Sequence, residues 1–178
     1  MNSNSSLRPC VFFDRDGIVN KSPGPGYVER VEDFHLLPDF VEALRVVRSR
    51  GYEAVIVTNQ RGVALGRLTE QTLSGIHRYL EQVLKKQGLT LTDILVCTAN
   101  DNAHPDRKPN PGMLLTAAKR HGLDLARSWM VGDNERDVEA GLRAGCKTVL
   151  VGEVGKPSRA DFRLKELSEL PGFLERHL

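Results

Sequence analysis

Short apolar runs alternate with amphipathic stretches along most of this chain, and that alternation restricts it to a parallel α/β sheet with helices between successive strands. The runs fall at 10–13, 54–57, 93–97, 129–131 and 148–151. Helical spacing fills the intervals. After Pro38-Asp39, the residues Phe40, Leu44 and Val47 share one face, with Gly51 as the stop. After Thr69, a stripe of Leu73, Ile76, Leu80 and Leu84 belongs to the core. Asn110-Pro111 reads as a capping side chain followed by proline at the first helical position, and that helix runs to Gly122. Another helix passes through Val138 and Leu142 and stops at Gly145, and a terminal one is expected through Leu164, Leu167 and Leu170. The Pro/Gly-rich stretch 22–26 reads as turns or a small flap. The expected architecture is a Rossmann-like three-layer α/β sandwich with a parallel sheet of five strands or more. It forms a single domain over 1–178, with a core at about 10–152 and a tail at 153–178.

Composition removes several classes of function. The 25 basic and 23 acidic residues are scattered and leave a net charge of +2, so no concentrated basic face argues for nucleic acid. Three cysteines, Cys10, Cys97 and Cys146, form no close pair and make a poor disulfide framework. Cys10 and Cys97 border apolar runs and are read as buried free thiols. The polar start at 1–6 lacks the apolar centre of a signal peptide, and no apolar stretch approaches a membrane span. A cytoplasmic protein, monomeric by default, is the expectation.

Polar residues gather where the apolar runs end. Asp14-Arg15-Asp16, Thr58-Asn59-Gln60, Arg107-Lys108 and Asp133-Asn134 all fall on the edge where open parallel sheets bind ligands. Asp14 and Asp16 alone are compatible with a turn or a calcium loop, although no glutamate stands at the expected loop end. Together with Asp133 the picture is a magnesium site, built from Asp14, Asp133 and the backbone carbonyl of Asp16. Asn134 and Asp137 orient that loop. A lone lysine is usually a solvated surface group. In this company Lys108 supplies fixed positive charge and Thr58 a hydroxyl for phosphoryl oxygens. The chemistry that follows is attack of Asp14 on phosphorus, with Asp16 protonating the leaving oxygen and later deprotonating water.

Those four segments resemble the motifs of the haloacid dehalogenase (HAD) superfamily. Closer agreement, through 13–20, 57–64 and 107–113, is with its histidinol-phosphate and heptose-bisphosphate phosphatase subfamily. The resemblance implies Asp14 as nucleophile, Asp16 as general acid/base, Thr58 and Lys108 as phosphoryl stabilisers, and magnesium on Asp14, Asp16 and Asp133. It also implies substrate binding by Asn59, Gln60, Arg61 and Arg107. The intervals between motifs leave no room for a cap domain, so an open site is expected. Many members carry a zinc loop before the Arg-Lys-Pro segment, but here 97–106 holds one cysteine and one histidine, so no zinc is expected. His104 is then read as a solvated loop residue. Heptose 1,7-bisphosphate is the leading substrate expectation, with loss of the 7-phosphate. Histidinol phosphate or another small phosphoester comes next, and a polynucleotide 3′-phosphatase or a non-catalytic binding protein comes last.

Overall fold

Each expected run forms a strand. In the computed structural model, which describes residues 7–152 and 157–178, the strands are β1 (Cys10–Phe13), β2 (Glu53–Asn59), β3 (Asp93–Cys97), β4 (Trp129–Gly132), β5 (Lys147–Val151) and β6 (Phe162–Leu164). They lie in the order β3-β2-β1-β4-β5-β6, and every pairing is parallel. The sheet therefore meets the expectation of five strands or more, with six. The connecting helices are α1 (Pro38–Ser49), α2 (Glu70–Lys86), α3 (Gly112–His121), α4 (Glu135–Ala144) and α5 (Leu170–His177).

Alternation along the strands builds two cores. Val11 and Phe13 of β1, with Ala54 and Ile56 of β2 and Trp129 and Val131 of β4, pack against α1, α2 and α5. Cys10 and Phe12, Val55 and Val57, and Met130 face the other way, onto α3 and α4. Successive strand side chains point to opposite faces, so a strand covered on both sides must be apolar throughout. That requirement is why the central runs were conspicuous. Cys10, Cys97 and Cys146 are buried free thiols.

Two local readings are corrected. Leu164 lies in β6 rather than in a helix, and α5 starts only at Leu170. Phe162 and Leu164 turn inward while Arg163 is exposed, and that period of two suits an edge strand paired to Val149–Val151. Asn110 does not cap α3, which begins at Gly112 with Pro111 in the cap position and no side-chain cap. The Asn110 amide instead donates to the carbonyls of Asn102 (3.1 Å) and His104 (2.9 Å). Loop carbonyls without a ladder partner compete for that donor and win.

Chain order decides where a ligand can sit. From β1 the chain steps outward to β2 and β3, then crosses back to place β4 on the other side of β1. The strand order reverses between β1 and β4, and the crevice at their carboxyl ends is the switch point of the sheet. Asp14 follows β1 and Asp133 follows β4. No helix among the described residues is long and apolar enough to cross a membrane.

Candidate active site

Two glycines let the loops after β1 and β4 press together. The Asp14 backbone N–H donates to Val131 O (2.9 Å), and the chain then turns sharply, with the N–H groups of Val19 and Asn20 both donating to Arg15 O. Gly17 sits in this turn at φ +93°, and a Cβ there would lie 2.1 Å from Asp133 Oδ2. On the other loop, a Cβ at Gly132 would lie 2.3 Å from the Asp137 Cβ. With neither Cβ present, carboxylate oxygens of Asp14, Asp133 and Asp137 come within 4.8 Å of one another. Asn134 and Asp137 form a capping box at the start of α4, with Asn134 N–H donating to Asp137 Oδ2 (3.1 Å).

One ammonium is shared within this acidic cluster. Lys108 Nζ lies 2.6 Å from Asp14 Oδ1, 2.7 Å from Asp137 Oδ1 and 2.8 Å from Val57 O. Its side chain is 1% exposed, and that of Asp137 is 2% exposed. Burial opposes the Lys108 charge, but Asp137 and Asp14 together outweigh it and hold its pKa above the ordinary value. Asp14 is pushed the other way: burial raises its pKa, Asp137 and Asp133 add to the rise, and Lys108 resists it. Burial, then Asp137, pushes Asp133 up to about 6. Three carboxylates around one ammonium leave an excess of negative charge. An all-oxygen donor set of this kind fits a hard divalent cation such as magnesium. Both Asp137 oxygens are engaged, so Asp14 and Asp133 are the side chains placed to hold it.

Asp16 faces different company. Its Oδ1 accepts from Arg15 Nη2 (2.9 Å) and Asn20 Nδ2 (2.9 Å), and its Oδ2 accepts from Arg15 Nη2 (3.0 Å) and Gln60 Nε2 (3.0 Å). Arg15 is completely buried, and its Nη1 lies 3.2 Å from His77 Nε2 on α2. A guanidinium can only donate, so His77 accepts there and is neutral. Burial, then the Arg15 charge, lowers the His77 pKa to about 4 against a weaker opposing pull from Asp16.

An open cleft of about 230 Å³ lies over these groups. Asp14, Asp16, Lys108 and Asp133 form its floor, and the 22–26 turn, Tyr27, Asn59 and Arg136 form its walls. Similarity to known proteins gives the family. A family model described as HAD-hyrolase-like matches residues 106–169. The D-glycero-beta-D-manno-heptose-1,7-bisphosphate 7-phosphatase of Yersinia pestis is 35% identical over 92% of this chain and 93% of its own length. The corresponding alpha-anomer phosphatase of Photorhabdus laumondii is 34% identical over 83% of this chain and 84% of its own. This chain belongs to the HAD heptose-bisphosphate phosphatase family. The fold agrees too: D,D-heptose 1,7-bisphosphate phosphatase from B. bronchiseptica, solved with magnesium and phosphate, superposes with a TM-score of 0.85. That match has 29% identity and covers 96% of this chain and 99% of that one.

The family's expected substrate contacts are placed unevenly here. Asn59 lines the cleft, but its amide is committed to the Lys108 backbone, accepting from its N–H (3.1 Å) and donating to its carbonyl (3.0 Å). Gln60 and Thr58 are buried, and the Gln60 amide links the Thr58 hydroxyl (2.9 Å) to Asp16. Arg61 is exposed on the loop after β2. Arg107 is buried away from the cleft wall and donates to Asn102 Oδ1 (3.1 Å) and Ala99 O (3.0 Å) of its own loop. His104 is half-buried rather than solvated. Its Nδ1 lies 3.7 Å from Cys97 Sγ and accepts from the Asp106 N–H.

Four residues around the site were given no role in the sequence reading: Arg15, Asn20, His77 and Arg136. Arg15 and Asn20 lie inside the first motif, so their proximity to Asp16 was available. His77 falls four residues after Leu73, at the margin of the buried stripe of α2. A polar residue in that position is a signal, but the partner it meets is 62 residues away in the chain.

Proposed function

We propose that this phosphatase removes the 7-phosphate of a D-glycero-D-manno-heptose 1,7-bisphosphate through an aspartyl-phosphate on Asp14. The observation that carries the reading is the Asp14 carboxylate at the switch point, held by buried Lys108 and flanked by Asp133 and Asp137. The free Asp14 oxygen attacks phosphorus, and the bond from phosphorus to the sugar oxygen breaks. Asp16 gives its proton to that oxygen, then takes one from the water that cleaves the acyl phosphate and releases inorganic phosphate. For this role the Asp16 carboxyl, 26% exposed toward the cleft, exchanges one of its present donors for the leaving oxygen. Asp14, Asp133 and the backbone carbonyl of Asp16 would hold a magnesium ion, which would supply charge neutralisation of the phosphoryl group.

Lys108 keeps Asp14 aligned and contributes positive charge as the phosphoryl group arrives, while Thr58 offers its hydroxyl to a phosphoryl oxygen. Relatives naming the heptose bisphosphate over nearly the whole chain support the substrate. Both anomers are represented among them, so the anomer belongs to the experiment. The same reading has the enzyme act as a cytoplasmic monomer. Phosphate release is measured from both heptose 1,7-bisphosphate anomers, hexose bisphosphates, histidinol phosphate and a 3′-phosphorylated oligonucleotide, with and without magnesium. Magnesium-dependent turnover of a heptose bisphosphate, lost in Asp14→Asn, is expected. Preference for histidinol phosphate or the oligonucleotide overturns the substrate, and activity surviving in Asp14→Asn overturns the nucleophile.

A further inference from the structure

One cation on the cleft wall has no part in the chemistry above. Arg136 is exposed and lines the cleft one helical turn beyond Asp133. Its backbone N–H and its Nε both donate to Asn134 Oδ1, at 3.2 Å each, which fixes the root of the side chain. Among the described residues no carboxylate pairs with it, and its two terminal nitrogens meet no acceptor. Of the cations that line the cleft, Arg136 and Lys108, only Arg136 is uncommitted. Lys108 is buried between Asp14 and Asp137, and the Arg15 guanidinium is buried against Asp16 and His77. Arg107 is turned into its own loop.

The position is also a poor one for a cation by helix rules. Arg136 stands in the first turn of α4, between Glu135 and the N3 residue Asp137, where the helix dipole favours acids. Such local conflicts concentrate where function requires them. The cleft needs a compensating charge, because four carboxylates line it against Lys108 and Arg136. A substrate with one phosphate at the reacting centre and a second elsewhere brings more negative charge to an already acidic mouth. A guanidinium with a free fork matches phosphate geometry in a way that the carboxylate-bound lysine cannot.

We infer that Arg136 binds the second, non-reacting phosphate of a sugar bisphosphate and so makes this site prefer bisphosphates over monophosphates. The inference rests on the phosphatase reading above, and it puts recognition of the distal phosphate on the α4 side of the cleft instead of at Arg107. The test compares matched esters: heptose 1,7-bisphosphate with heptose 7-phosphate, and fructose 1,6-bisphosphate with fructose 6-phosphate. For each pair the ratio of kcat/KM, bisphosphate over monophosphate, is measured in the wild type, Arg136→Gln, Arg136→Lys and Arg107→Gln.

In Arg136→Gln the ratio is expected to fall about tenfold, the size of one charge-assisted contact, chiefly through KM. Arg136→Lys recovers part of it. A wild-type ratio near one, an unchanged ratio in Arg136→Gln, or a collapse confined to Arg107→Gln overturns the inference. The two readings fail separately. If only the hexose pair turns over and its ratio collapses, the heptose assignment falls and the role of Arg136 stands. If the heptose pair turns over with a ratio indifferent to Arg136, the reverse holds. Should no ester turn over, calorimetric binding of the same pairs to Asp14→Asn, with and without Arg136→Gln, reads the same ratio.

Discussion

Asp14 and Asp16 stand two residues apart on one turn, share the cleft, and are held in opposite ways. Asp14 has a single ammonium for a partner, shared with Asp137, and burial and two neighbouring carboxylates push its pKa upward. Asp16 accepts from a guanidinium and two amides. Environment assigns different work to chemically identical groups. The first carboxylate is crowded into a place where added positive charge is welcome, which suits the proposed nucleophile and its metal. The second is kept oriented by three donor side chains, which suits the acid/base role proposed for it.

Substitution of the two aspartates sharpens this difference most. Asp14→Asn is expected to lower kcat by at least about 10⁴-fold on every ester, since no bond to phosphorus can form. Asp16→Asn should lower it about 10²–10⁴-fold on sugar phosphates, the range for loss of a general acid/base. On p-nitrophenyl phosphate, whose leaving group needs no proton, the Asp16 variant should form the aspartyl-phosphate in a burst and then stall at hydrolysis. Burst-phase kinetics checks this. Equal losses for both variants on both ester types would erase the distinction drawn between the carboxylates.

Lys108→Met breaks the Asp14 side of the comparison alone. It leaves Asp14 and Asp137 buried without their cation, and one-sided loss of a buried pair costs about 3–5 kcal/mol. Urea unfolding measures it. Magnesium should restore a substantial part of that stability, because a divalent ion answers the same charge excess. No magnesium-dependent recovery would mean that the carboxylate cluster does not hold the ion.

Much of this contrast was foreshadowed in the sequence, and the rest shows where sequence reasoning stops. The central strands were readable because a strand buried on both faces has no polar positions, as at Phe12-Phe13 and Val55-Ile56-Val57. The carboxylates were readable because they stand at the ends of those runs. β6 was not, since three residues with one exposed arginine carry too little pattern to separate strand from helix. Arg15 was missed for a different reason. An arginine between two aspartates looks solvated, and its burial depends on Asn20 and Gln60 occupying Asp16 beside it and on α2 bringing His77 over it. Arg107 is a different case: its motif is intact, and the loop at 97–106 takes up its guanidinium, an arrangement the motif does not announce. For Arg15 the deciding partners, His77 and Gln60, come from distant elements, which no local pattern encodes; for Arg107 they come from the fold of its own loop.

The smallest effect concerns what stands behind Asp16. His77 faces the Arg15 guanidinium with the Asp16 carboxylate beyond it, and its pKa is lowered from 6.5 to about 4 in the fold. In the unfolded chain it takes a proton near the ordinary value, so between about 4 and 6.5 the unfolded state binds more protons than the native one. The contribution is therefore fully present above 6.5 and is lost as pH falls toward 4. Its size is about 2 kcal/mol, after a discount for the partial access of the ring to water. Asp133 works in the opposite sense. Its raised pKa lets the native state gain protons first as pH falls through about 6, which favours the fold. Asp14, raised to about 7, adds a third slope in the same sense as Asp133, so in the bare protein the wild-type curve alone assigns none of them. His77→Gln keeps an acceptor for Arg15 but cannot titrate. The difference in unfolding free energy between wild type and variant, at pH 4.5 against pH 7.5, isolates the histidine. The variant should gain on the wild type by about 2 kcal/mol at the lower pH. A parallel pair of curves would mean that His77 is protonated in the fold, and the guanidinium behind Asp16 would then need another acceptor.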